Sequence, residues 1–145
     1  MPIVTFHLAE GQYPTSAMQQ LLVKSCQLYS RVLDSPMERT RAYVSLCPAE
    51  LMVVGGEPVS AVPSKAPYFE FLMLAGRPLQ QRHDLLRGFT DLLVETLEAP
   101  RELIRGKAIE LAPDNWAIGG EPASARRAGE INARAEAAST SEVGT

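Results

Sequence analysis

Val54-Gly55-Gly56-Glu57-Pro58 returns as Ile118-Gly119-Gly120-Glu121-Pro122. Read backwards, each copy is preceded by the same landmarks: an Arg-containing strand, a proline, an amphipathic helix, a glycine and a proline-led apolar strand. An internal repeat fixes the architecture before any local argument does. Pro2 matches Pro67 and Gly11 matches Gly76, each pair 65 residues apart, whereas Pro36/Pro100, Arg41/Arg105 and Gly56/Gly120 are 64 apart. One extra residue within Gln12-Tyr13-Pro14-Thr15-Ser16 accounts for the change. The expected units are residues 1–62 and 67–128, joined by 63–66, with 129–145 as a tail.

Each unit reads strand, helix, strand. Ile3 to Leu8 alternates Thr5 and His7 against Val4, Phe6 and Leu8, and Tyr68 to Leu74 is almost wholly apolar, as strands of a covered sheet are. Met18, Leu21, Leu22, Ser25, Tyr29 and Val32 follow a helical spacing, as do Leu85, Leu86, Phe89, Leu92, Leu93 and Thr96. Pro14 opens the first helix and Pro100 closes the second. The second strands are expected at 40–46 and 106–111, and the Gly-Gly pairs mark tight turns or short hairpins. A strand-helix-strand unit joins parallel strands by a right-handed crossover. The fold class is therefore α/β (α+β), with two tandem β-α-β modules in a four-stranded mixed sheet and two helices on one face. The opposite face is expected to be apolar and to need a partner, which implies an oligomer. In the tail, 130–136 reads as a helical turn or two and 139–145 as disordered.

The composition narrows the function. Of 145 residues, 46% are apolar and 21% charged, which is ordinary for a globular protein. A net charge of -3 without a basic stripe gives no reason to expect nucleic acid. No run approaches the roughly 20 apolar residues of a membrane span, and the start lacks a signal-peptide pattern. We therefore expect a cytoplasmic protein with Cys26 and Cys47 as reduced thiols. His7 and His83 are too isolated to argue for a metal, and no cofactor motif occurs.

Pro2 is the first candidate for chemistry. Removal of Met1 would leave its nitrogen a free secondary amine, near an ordinary α-amino pKa of about 7.7–8.0. Burial and neighbouring arginines would lower that value and make a usable general base; by itself, Met-Pro is also an ordinary start. Arg41 and Arg105 open the two second strands, and parallel pairing puts Arg41 beside Pro2. Arg77 follows Gly76, where the first copy has Gln12. Three arginines placed by one motif point to an anionic substrate bearing a carboxylate, although each alone also reads as a solvated charge. Trp116, and its counterpart Met52, could wall off the site or simply pack.

In combination these residues resemble the tautomerase superfamily, whose archetype is 4-oxalocrotonate tautomerase. Leu74-Ala75-Gly76-Arg77 resembles its Leu-Glu-Gly-Arg, and Ala99-Pro100 with Arg105 resembles its Ala-Pro and strand arginine. Asn115-Trp116-Ala117-Ile118-Gly119-Gly120-Glu121 resembles its aromatic-Gly-Ile-Gly-Gly end. The first copy adds Met1-Pro2-Ile3, Glu10-Gly11, Pro36 and Arg41, so that the likeness covers about 1–127. The resemblance implies a β-α-β unit with an N-terminal proline as catalyst, arginines binding carboxylate and carbonyl groups, an aromatic wall, and trimers for two-unit members. It implies a tautomerase of a small unsaturated 2-oxo or 2-hydroxy acid, with Pro2 as base, Arg41, Arg77 and Arg105 as anion binders and Trp116 as wall.

Two departures matter. Pro67 lies inside the chain, so its nitrogen is an amide, and Gln12 replaces the first copy's arginine. A seven-residue strand spans roughly 23 Å, so Pro2 cannot reach the far end of its own strand. Antiparallel pairing of the two first strands would instead bring Arg77 to Pro2 and Gln12 to Pro67. Two other readings stay open. Dehalogenases and decarboxylases of the superfamily add a carboxylate, for which Glu50 and Asp114 are candidates; Cys47–Met52 resembles a decarboxylase segment, but Arg39 stands where that branch has an acid. A non-catalytic binding scaffold is the third.

Overall fold

The computed structural model describes residues 2–143. Two strand-helix-strand units make its body. In the first, β1 (Ile3–Ala9) leads through α1 (Thr15–Leu33) to β2 (Arg41–Cys47). In the second, β5 (Tyr68–Leu74) leads through α2 (Leu79–Leu97) to β6 (Arg105–Leu111). Between and after them come two small hairpins, β3 (Val53–Val54) with β4 (Glu57–Pro58), and β7 (Ala117–Ile118) with β8 (Glu121–Pro122). Their turns are the repeated Gly-Gly pairs, and all four glycines have φ between +58° and +87°. That left-handed region costs a residue with a Cβ and costs glycine little, so the motif is a pair of primed hairpin turns.

The sheet order is β2-β1-β5-β6, with parallel outer pairs and an antiparallel central pair. In the centre Ile3 lies opposite Leu72 and His7 opposite Tyr68. A pseudo-twofold therefore relates the units, and it sends Pro2 and Pro67 to opposite ends of the sheet.

Both helices cover one face. Val4, Phe6 and Leu8 of β1 and Phe69, Phe71 and Met73 of β5 are buried beneath them. All four phenylalanines meet there: Phe89 of α2 lies 5.3–5.9 Å from Phe6, Phe69 and Phe71. Tyr29 of α1 sits 5.1 Å from Phe89 and donates its hydroxyl to Ile3 O (2.9 Å) and Leu72 O (3.1 Å). Burial keeps that phenol protonated, raising its pKa far above the ordinary value. It thereby pins the end of the central strand pair that adjoins Pro2.

The two units compensate for size across their parallel pairs. Val4 faces Ala42, whereas Phe69 faces Gly106. A Cβ added at Gly106 would lie 2.1 Å from Phe69 Cζ. Gly106→Ala should accordingly destabilise the protein by about 1–3 kcal/mol, the cost of overpacking a filled core, as read from a chemical-denaturation midpoint; an unchanged midpoint would count against this packing.

The helix-free face differs from expectation. Ile3, Leu72 and Ile109 lie on it, but so does a polar row. His7 Nε2 is 3.5 Å from Glu70 Oε1, Lys107 Nζ is 3.7 Å from Glu70 Oε2, and the His7 and Tyr68 rings stack. The face is mixed because the alternation that buries Phe6 and Phe69 sends His7 and Glu70 outward.

The tail also differs. After α3 (Ala123–Arg126), α4 runs from Ala128 to Val143, so the segment expected to be disordered from 139 is helical as far as it is described. Gly144 and Thr145 lie outside the described residues, as does Met1, on which the expected free amine depends. Among the described residues no helix is long and apolar enough to cross a membrane. Cys26 and Cys47 are unpaired with one another.

Candidate active site

The strand pairing sets up the site. Because β5 runs antiparallel to β1, the end of β5 and the loop after it return to the start of β1. Pro2, which is buried, shares one cavity with Met73, Leu74 and Arg77 from that end. Leu33 ends α1, Ser35 follows just after it, and Arg39 comes from the 3-10 turn Met37–Arg39. Arg127, Glu130 and Arg134 come from the last turn of the fold and from α4. Four arginines and one carboxylate thus surround Pro2.

Arg77, Arg39 and Glu130 are held by hydrogen bonds. Arg77 Nη1 donates to Leu33 O at 3.0 Å and to Gln81 Oε1 at 3.4 Å. Burial, then the like charge of Arg134, pulls the Arg77 pKa down to about 10, with Glu130 and Asp34 pushing the other way. It is still charged at neutral pH. Arg39 donates two hydrogen bonds to Glu130, Nη1 to Oε2 at 3.0 Å and Nη2 to Oε1 at 3.1 Å. This bidentate geometry is the strong form of a carboxylate bond, and it holds the Glu130 carboxyl below its ordinary range. Arg127 Nε is buried and has no hydrogen-bond partner among the described residues.

The structure brings Pro2 and Arg77 together and leaves the other sequence candidates apart. Arg41 N donates to Pro2 O at 2.9 Å, so its backbone is adjacent as parallel pairing requires. Its side chain is exposed, because alternation puts Arg41 with Ile3 on the helix-free face while the cavity opens on the other side. Arg105 makes the equivalent bond to Pro67 O (3.1 Å) at the opposite end of the sheet, and its guanidinium donates to Glu102 O and Ile104 O. Trp116 is half-buried in a separate hollow with Asp114 and Asn115. Glu50 and Asp114 do not line the Pro2 cavity.

Sequence reasoning missed Arg127, Glu130 and Arg134, and weighed Arg39 only as a departure from another branch. The signal available was spacing: positions 127, 130 and 134 share one helical face. The repeat then shows which end is equipped. At the offsets of the landmarks, Arg39 corresponds to Leu103, Arg77 to Gln12, Arg127 to Pro63 and Glu130 to Ala66. Each of these four charged residues therefore has an uncharged counterpart in the other copy.

The tautomerase enzyme family profile matches residues 67–126. A 2-hydroxymuconate tautomerase of Pseudomonas sp. (strain CF600) is 33% identical over 58 residues, which is 40% of this chain and 92% of that relative's length. The chain belongs to the tautomerase superfamily. It is a fused, two-unit member and a 4-oxalocrotonate tautomerase-like isomerase. The 2-hydroxymuconate tautomerase of Pseudomonas putida is similar at 34% identity, again over 92% of its length. The fold of this fused tautomerase is matched by native fused 4-OT (TM-score 0.78, 21% identity, 85% of this chain and 97% of that one). It is matched equally by the F6 fused 4-OT asymmetric trimer (TM-score 0.77, 24% identity, 85% and 97%).

Proposed function

We propose that Pro2, freed by removal of Met1, is the general base of a keto–enol isomerisation on a small unsaturated 2-hydroxy or 2-oxo carboxylic acid. The observation that carries this is the burial of Pro2 in a cavity ringed by Arg39, Arg77, Arg127 and Arg134. Burial and positive charge both favour the neutral amine, which is the basic form. An arginine binds the substrate carboxylate, and a second faces the oxygen on C2. The amine takes the proton of the 2-hydroxyl, negative charge develops on that oxygen beside a guanidinium, and the ammonium returns the proton to a carbon of the conjugated chain. One proton moves, the double bonds shift, and nothing is gained or lost. Guanidinium groups aimed at charge that develops only in the transition state raise the rate of the chemical step.

The same reading includes a homotrimer in the cytoplasm. The trimeric assembly of the F6 relative and the unpaired sheet face support the trimer. In it, Arg41, Arg105 and Trp116, which do not line the Pro2 cavity of their own chain, would serve a neighbouring copy's site. The hydrolytic alternative needs a carboxylate free to activate water. Glu130 lines the cavity, but both its oxygens accept from Arg39, which favours the isomerase.

The expected result is an intact mass for a chain beginning at Pro2, rapid ketonisation of 2-hydroxymuconate or phenylenolpyruvate, and no hydration of 3-chloroacrylate. Full turnover by a chain retaining Met1 would rule out the amine mechanism, and hydration without ketonisation would make the enzyme a hydrolase.

A further inference from the structure

The room left in the Pro2 cavity is about 20 Å³, enough for one water and far too little for a six-carbon acid. Association with further copies that left this chain's conformation unchanged would add atoms and could not enlarge it. Something that lines the cavity has to move before a substrate enters.

The chain itself points to what moves. Residues 127–130 correspond to 63–66, the linker between the two units. That linker passes the Pro67 end, where Gln12 Nε2 donates to Ser64 O at 2.8 Å and Lys65 Nζ lies 5.6 Å from the Tyr13 ring centroid. There it has to pass, since it must enter β5. After the second unit the chain continues into a helix instead, and α4 lies across the Pro2 cavity.

Little of α4 is buried. From 128 to 142 only Ile131 and Arg134 are even half-buried. Its outer part stands off Pro78 and Gln81 across a groove of about 600 Å³. Segments with few buried apolar contacts open at low free-energy cost. One specific tie is the bidentate bond from Arg39 to Glu130. Beside it lies the buried Nε of Arg127, a donor with no hydrogen-bond partner among the described residues.

We propose that Glu130 is an internal ligand of the Pro2 cavity, holding Arg39 until a substrate carboxylate displaces it, and that α4 is the lid that leaves with it. The incoming carboxylate takes over Arg39 and supplies the acceptor that Arg127 lacks. A ligand can open the lid only by as much as it prefers the open form, so removing the internal carboxylate should tighten anion binding. This rests on the carboxylate class argued above and not on turnover.

The test uses the full chain and trans,trans-muconate, a six-carbon dicarboxylate without an enol hydroxyl, titrated by calorimetry. Glu130→Gln should bind it about fivefold more tightly than the parent, as expected for loss of a competing, half-exposed ion pair. Saturating muconate should also speed amide exchange across α4 in the parent. Equal or weaker binding by the variant, no binding by either protein, or unchanged exchange in α4 would overturn the proposal. Tighter binding by a variant that, like its parent, ketonises nothing would uphold the lid and reject the isomerase reading.

Discussion

Pro2→Ala should lower kcat/KM for 2-hydroxymuconate by about 10²–10⁴-fold, the usual contribution of a positioned general base. Alanine leaves an amine at the same place in the sequence, so the loss does not come from deleting a nitrogen. It comes from replacing a secondary amine, fixed by its ring at the head of β1, with a primary amine that rotates and is hydrated more strongly. Pro67→Ala is the internal control. Pro67 is fully buried and accepts the equivalent backbone bond from Arg105, so its loss should cost packing alone and leave kcat/KM nearly unchanged. In the parent, activity should fall as pH drops through the amine pKa, since only the neutral form accepts a proton. That limb should lie below the ordinary value of about 7.7–8.0, because burial and four neighbouring guanidiniums disfavour the ammonium. A Pro2→Ala protein with parent kcat/KM and parent pH profile would remove the proline from the mechanism.

The fold was legible because its landmarks are residues with backbone reasons. Pro2, Pro67, Pro36 and Pro100 begin or end elements, and Gly55-Gly56 and Gly119-Gly120 adopt a conformation that penalises other residues. Such positions keep their meaning when the side chains between them diverge, as Val4 and Phe69 have. The meeting of Pro2 with Arg77 was legible for a related reason: strand length and antiparallel order decide it without any side-chain detail. The remainder of the site was harder to read. Arg41 and Arg105 look like a matched pair in the sequence, but alternation turns Arg41 onto the helix-free face, and the pseudo-twofold carries Arg105 to the far end. Helix α4 lacks the apolar stripe that announces a docked helix, because Ile131 is its one large apolar residue before Val143. Charge holds it in place, and pairing across 91 residues, as between Arg39 and Glu130, leaves no local pattern.

Arg77→Ala should lower kcat/KM by about 10²–10³-fold, the range seen when one donor to a developing oxyanion is removed. The partition between constants carries the argument. If Arg77 binds only the ground-state carboxylate, KM rises and kcat holds; if it also faces the charge that builds on the C2 oxygen, kcat falls as well. The second is expected, because Arg77 is the partly buried arginine that the antiparallel pair delivers to Pro2, and a guanidinium with little water around it acts at higher effective strength. Arg77→Lys should recover only part of the loss, since an ammonium keeps the charge but not the planar fork. The mirror position supplies the contrast. Gln12→Arg places the missing guanidinium beside Pro67, yet it should create no second site, because that proline nitrogen is an amide within the chain and has no basic lone pair. Gln12→Ala should leave turnover intact and loosen only the linker held at Ser64. Parent-like kcat/KM in Arg77→Ala, with Pro2→Ala inactive, would mean that another guanidinium carries the oxyanion and that the second unit contributes fold but not chemistry.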